Sequence, residues 1–395
     1  MTATSENLAD KRLAAIEASG WGRKFHFFQP RNAAFWVYVV LVAIGTVELV
    51  KMIASASGAY GQAITASVII FGLYGALFWW FTQRIDRYAG QPAKLIVVAF
   101  LWGGLAATWA MAAHANDAVR SMYAKFFGQL FYINWGAGLA APFTEELAKG
   151  FGLLLLIALA PRLIRTAFDG FILGAFIGLG FQIIEDISYG LNSAGKQFGA
   201  NQLESALGTV YLRMGVGVAA HILYTAIFCA GLVYLLGRPA EPRNIGRGIL
   251  LIVTPIVLHF IWDADAAILG GNDYLIIGSW AVIIAIALYI VVRVFKMTVP
   301  RERQFMRDVM APEVENGVIT PAELDALSGD RKARKAYHKA AATRADRRRA
   351  DHVLDAARDL ADALAVARGR DTPEVEFARS EVTQIRGGAT SVQQG

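Results

Sequence analysis

The first 300 residues are apolar stretches of about 20 residues divided by short polar breaks, and a helix of that length crosses a hydrocarbon core about 30 Å thick. This pattern predicts an all-α polytopic membrane protein and excludes an ordinary soluble enzyme. Charge sharpens the division. Of 38 Lys/Arg and 32 Asp/Glu, 17 and 16 fall in residues 301–395, which leaves 37 charged side chains for the first 300. A polar N-terminal segment (1–34), a membrane domain (35–297) and a charged tail (298–395) are therefore expected. No secretory signal peptide is expected, because residues 1–34 are polar and the first apolar run is long enough to remain as an anchor. The single cysteine, Cys229, lies inside an apolar run, so neither a disulfide framework nor a cysteine zinc site is expected. The net charge of +6 fits basic loops that orient a membrane protein, and no nucleic-acid partner is expected.

Apolar runs place about eight spans, at 35–53, 63–81, 95–113, 138–160, 170–189, 210–236, 249–269 and 275–294. Residues 121–141 read either as an interfacial or re-entrant piece or as the start of the fourth span. An even number of spans puts both termini on one side. Fifteen Lys/Arg fall in the segments on that side and five on the other, which predicts cytoplasmic termini. In the tail, residues 331–349 hold nine basic residues and one acid, followed by a periodic Ala/Leu/Asp stretch to 368. This reads as a solvated charged helix or helix pair on the cytoplasmic face, with the end from Arg386 unstructured. The spacing of Gly174, Gly178 and Gly180 reads as close helix packing.

An ionisable residue within a span costs at least about 2.5–3.5 kcal/mol on insertion scales, so each one asks for a partner or a task. They concentrate in four spans. The fourth carries Glu145, Glu146 and Lys149; the fifth carries Glu185 and Asp186; the sixth carries His221; the seventh carries His259 and Asp263. Glu145 with Lys149, Glu185 with Phe181 and Tyr189, and His259 with Asp263 stand four residues apart, so each set shares a helix face. The fourth and sixth spans run inward with these groups in their first half. The fifth and seventh run outward with theirs in the second half. At about 1.5 Å of rise per residue all four clusters fall in the outer half of the bilayer, which predicts one shared site. Asp186 and Asp265 read as interfacial charges, and Glu48 with Lys51 and His114 with Asp117 as surface groups.

Carboxylates and imidazoles around a wet cavity suit hydrolysis. One route has Glu145 or Glu146 activate water without a metal; another has a divalent ion such as zinc bound by His221, His259 and a carboxylate, with a position left for water. HExxH spacing is absent, and no serine motif stands out.

The residues also resemble a family. Glu145-Glu146-Leu147-Ala148-Lys149 is similar to the EExxK motif of the PrsW-type intramembrane proteases, and the run from Asp169 to Gly190 to their DG…GFxxxEN…Y span. His221 and the His259/Asp263 pair stand where that family and the related CAAX prenyl endopeptidases keep late-span histidines. One departure is Asp186 in the place of the usual Asn. The resemblance implies a protease of the bacterial plasma membrane that cuts membrane-anchored substrates near their outer boundary, as in site-one cleavage of an anti-sigma factor. It further implies Glu145 and Glu146 as water-activating and supporting carboxylates, with Lys149 as their charge partner. Glu185, His221 and His259 complete the implied catalytic set, and are its ligands if a metal takes part. Two other readings use the same residues: a proton- or cation-coupled transporter, and a non-catalytic membrane scaffold.

Overall fold

The computed structural model describes residues 3–387, and no β-strand occurs among them. The helices in chain order are α1 (Ala3–Ser19), α2 (Ala33–Ile85), α3 (Ala93–Leu101), a π-helical segment (Trp102–Ala112), α4 (Ala113–Phe127), α5 (Gln129–Leu159), α6 (Ala167–Ala194), α7 (Gln202–Val216), α8 (His221–Leu236), α9 (Ile245–Asp263), α10 (Asp265–Ile268), α11 (Asp273–Glu315), α12 (Pro321–Ser328), α13 (Arg331–Lys339), α14 (Arg344–Val366) and α15 (Pro373–Gly387). Two compact units result: residues 25–86 with 91–297, and described residues from 3–24, 87–90 and 298–387.

The chain is an all-α polytopic membrane protein. Six described helical stretches are long and apolar enough to cross a membrane, against the eight spans expected. The first two expected spans form the 53-residue α2, two helices that meet at Tyr60 (φ −124°, ψ 29°). The fourth, in α5, falls short in apolarity because it carries Glu145, Glu146 and Lys149. Residues 121–141 resolve at Gly128, whose φ of +86° ends α4; Gln129 then starts α5.

At the centre of the membrane unit lies α6, buried without interruption from Ala167 to Ile183. Its start is set by a capping box, in which Thr166 and Asp169 satisfy each other's backbone N–H groups; Asp169 also accepts from Gln91 Nε2 at 2.6 Å. Small residues let neighbouring backbones touch it. A Cβ at Gly174 would lie 2.5 Å from the Thr225 carbonyl oxygen, and one at Gly178 would lie 2.3 Å from that of His221. On another side, a Cβ at Gly180 would meet the Phe100 carbonyl at 2.0 Å. These contacts seat α8 and α3 against the helix that carries Glu185.

Two site helices contain an interior proline: Pro142 in α5, three residues before Glu145, and Pro255 in α9, four before His259. Proline cannot donate to the carbonyl four residues back, so each helix lacks one bond of the regular ladder just before Glu145 or His259. The π segment, whose closing bond runs from Ala113 N–H to Thr108, winds more slowly than an α-helix and resets the phase of α4.

The second unit is more than a solvated helix pair. Buried Val353, Leu354, Ala357, Leu360, Ala361 and Leu364 of α14 give it a core, with Val375, Ala378 and Val382 of α15. Arg12 of α1 donates to Glu313 at 2.7 Å, and Glu313 also accepts from Arg379 at 2.8 and 2.9 Å. Trp21 donates its indole N–H to Asp362 at 2.8 Å. Arg386 and Gly387, expected in an unstructured end, close α15; the rest of that stretch, 388–395, lies outside the described residues.

Gly180→Val is expected to lower the melting temperature in detergent, because overpacking costs about 1–3 kcal/mol even where side chains give way, and here the obstacle is backbone. Gly208→Ala, with nothing within 4 Å of the added carbon, is expected to melt with the parent. Equal melting temperatures for the two variants would contradict the α3–α6 approach.

Candidate active site

The expected clusters converge on one cavity of about 160 Å³ in the membrane unit. Glu145, Glu185, His221, His259 and Asp263 line it, together with Asn116, Arg120 and Arg213. Glu146 and Lys149 lie behind this surface, both 0% exposed.

Lys149 donates to Glu146 Oε1 at 2.7 Å and stands 2.9 Å from His221 Nδ1. Its ammonium lies 4.2 Å from the centre of the Phe181 ring, whose face attracts a cation. Helical spacing alone brings Glu146 and Lys149 together, one turn apart on α5. Glu145, four residues before the lysine, lies farther from it, 3.8 Å from Oε2 to Nζ. Its Oε1 accepts from Asn116 Nδ2 at 3.1 Å, and Asn116 is itself held by a short hydrogen bond from Thr144.

Each histidine has a carboxylate on one side of its ring and Glu145 on the other. His221 Nε2 is 3.0 Å from Glu185 Oε2, and its Nδ1 is 3.9 Å from Glu145 Oε2. His259 Nδ1 is 3.3 Å from Glu146 Oε1, just outside hydrogen-bond geometry, and its Nε2 is 3.8 Å from Glu145 Oε2. Asp263, one turn along α9, stands 3.4 Å from the same Nε2. A ring that gives its N–H to the carboxylate behind keeps a lone pair toward Glu145, the arrangement by which second-shell carboxylates orient ligand histidines.

Glu145 Oε2 is buried and has no hydrogen-bond partner among the described residues. An orphaned carboxylate oxygen is costly in a dry interior unless a proton, a water or a cation comes to it. Glu145, His221 and His259 each offer one ligand atom, all within 4.8 Å of one another. One carboxylate oxygen and two imidazole nitrogens form a donor set known for catalytic zinc, so these residues fit a divalent ion. Lys149 holds the position in front of His221 Nδ1 for which an ion competes. Glu185, expected with the two histidines as a ligand, is on the far nitrogen of His221; Glu145 is the carboxylate facing both rings.

Asp186 corrects the expectation of an interfacial charge. It is 1% exposed and forms a short ion pair with Arg213 of α7. The same guanidinium reaches Glu185 Oε2 at 2.8 Å and lies 4.0 Å from the centre of the Tyr189 ring. Neither Arg213 nor Asn116 stood out in the sequence, since an arginine counted as a loop charge and an amide beside a span end carry no motif. The surface readings hold for Glu48 with Lys51, paired at 2.9 Å, and for the exposed His114 and Asp117.

A membrane helix bundle thus sinks a carboxylate, two imidazoles and the acids behind them into one cavity, which makes this the candidate active site. The sequence profile of the PrsW family intramembrane metalloproteases matches residues 91–294, just over half of the chain, and the chain belongs to that family. Comparisons with curated proteins and with solved structures give no significant match.

Lys149→Met leaves Glu146 buried without its cation, and breaking a buried pair on one side costs about 3–5 kcal/mol, so strong destabilisation in detergent is expected. Glu145→Gln keeps the Asn116 contact through its carbonyl and is expected to fold like the parent. Melting curves of the two variants check the division between a structural pair and a chemical group.

Proposed function

We propose that the protein hydrolyses a peptide bond of a membrane-anchored protein near the outer membrane boundary, with both of its own termini cytoplasmic in a bacterial plasma membrane. Site-one cleavage of an anti-sigma factor is the physiological form of this activity that the family resemblance favours. The observation that carries the reading is Glu145 Oε2, a buried carboxylate oxygen without a hydrogen-bond partner among the described residues, at a cavity it lines beside two imidazoles. Support for the direction comes from the excess of Lys/Arg in segments on the side of the termini.

Glu145, His221 and His259 are the proposed ligands of a divalent ion, with zinc the natural choice for this donor set. Held by these residues, such an ion would supply Lewis-acid activation of the scissile carbonyl and of water. The chain's own residues do the remaining work. Asn116 fixes one oxygen of Glu145, so that the other keeps its direction. Glu185 orients the His221 ring, and Arg213 holds Glu185 in place. Asp263 stands beside His259 at the cavity wall, a carboxylate placed to exchange a proton there. A substrate helix must open locally before its carbonyl can enter, since a helical backbone is hydrogen-bonded to itself.

The test is cleavage of a tagged single-span substrate in proteoliposomes, with fragment masses locating the cut. Cleavage close to one membrane boundary is expected, together with loss of activity in a chelator and its return on adding zinc. Uptake or proton flux that depends on Glu185 and His259, with no substrate cut, would move the transporter reading ahead.

A further inference from the structure

Two guanidinium groups line the cavity, and they differ in how they are satisfied. Arg213 is fully committed to Glu185, Asp186 and the Tyr189 ring. Arg120 has no carboxylate partner among the described residues. Its guanidinium lies over the Tyr132 ring at 5.0 Å, and its one polar contact is a long 3.4 Å approach of Nη2 to the Tyr132 hydroxyl. Its Nε is buried and has no hydrogen-bond partner among the described residues. A cation held in this way, at the wall of a cavity within a membrane protein, is one whose anion comes from elsewhere.

The position of Arg120 indicates where that anion belongs. It follows Asn116 by four residues on α4, so the two share a face, and Asn116 is the residue that holds Glu145. Four residues of helix rise about 6 Å, and an extended peptide advances about 3.3 Å per residue, so positions 116 and 120 are spaced like residues about two apart on an extended substrate. We infer that Arg120 reads the substrate, binding an Asp or Glu side chain about two residues from the scissile bond; this rests on the proteolytic reading above. The planar fork of arginine matches a carboxylate bidentately, and the Tyr132 ring beneath it keeps the fork oriented. A phospholipid phosphate offers the same charge. The enclosed cavity shared with Glu145 favours the polypeptide.

The test uses the full-length protein in phosphatidylcholine vesicles, with and without added phosphatidylglycerol. Single-span substrates carry one Glu, Gln or Lys at each of the four positions on either side of the cut. The parent enzyme is expected to prefer Glu over Gln by about tenfold in kcat/KM at one position about two residues from the cut, the size of one charge-assisted hydrogen bond. Arg120→Gln is expected to bring that ratio to about one, and Arg120→Glu to shift the preference to Lys. The inference is overturned if the parent cuts Glu and Gln substrates equally, or if Arg120→Gln lowers both rates by the same factor. An Arg120 effect that follows phosphatidylglycerol and not substrate charge overturns it as well, and makes the arginine a lipid anchor. If the parent cuts no substrate of the set, the proteolytic reading itself fails, and this inference with it.

Discussion

Lys149 carries its ammonium group to a position with no solvent exposure, and the site is arranged around that charge. Glu146 on the same helix neutralises it at 2.7 Å, His221 of α8 accepts at 2.9 Å, and the Phe181 ring of α6 faces it. Three helices thus share one cation. A charge in such a place is tolerated only when its partners are close and oriented, so the lysine constrains where α5, α6 and α8 can stand. Glu146 commits one oxygen to this role and lies behind the cavity wall. Its neighbour Glu145 lines the cavity with an oxygen that has no hydrogen-bond partner among the described residues.

The backbones make the convergence possible. Glycines on α6 admit the carbonyl groups of α3 and α8 at distances that any larger residue would forbid, and the first residue of α8 admitted in this way is His221. Interior prolines each remove one bond of the regular ladder, in α5 just before Glu145 and in α9 just before His259. The outcome is layered: Glu145 in front of the two imidazoles, Glu185 and Glu146 behind them, and Arg213 and Lys149 neutralising those rear acids. In such a layering the supporting carboxylates set the orientation of each ring, and the front oxygen meets whatever the cavity holds.

Much of this was legible without coordinates, because a membrane makes polar residues conspicuous. Glu145, Glu146, Lys149, Glu185, His221, His259 and Asp263 stood out as charges inside apolar runs, and their common depth pointed to one site. What stayed hidden was non-local. Asn116 is an ordinary amide until it is found against Glu145, and Arg213 an ordinary loop charge until α7 turns it onto Glu185 and Asp186. The choice between Glu145 and Glu185 as the carboxylate facing both rings depends on ring rotation, which helical spacing does not encode. Span counting met a related limit. Its hydropathy signal separates the two helices that meet at Tyr60 in α2, but it weakens in α5 because Glu145, Glu146 and Lys149 are there. The packed core of α14 and α15 was masked by the density of charge on the outer faces of those helices.

The most direct test of this account is the rate at which the reconstituted protein cuts a single-span substrate when Glu145 is replaced by Gln, with folding verified by an unchanged melting temperature. The account requires a fall of at least about 10²-fold, since even groups that only support a metal ligand cost about 10–100-fold when lost. A folded Glu145→Gln variant that cuts at the parent rate would contradict it, because the unsatisfied oxygen at the centre of the cavity would then have no part in the chemistry.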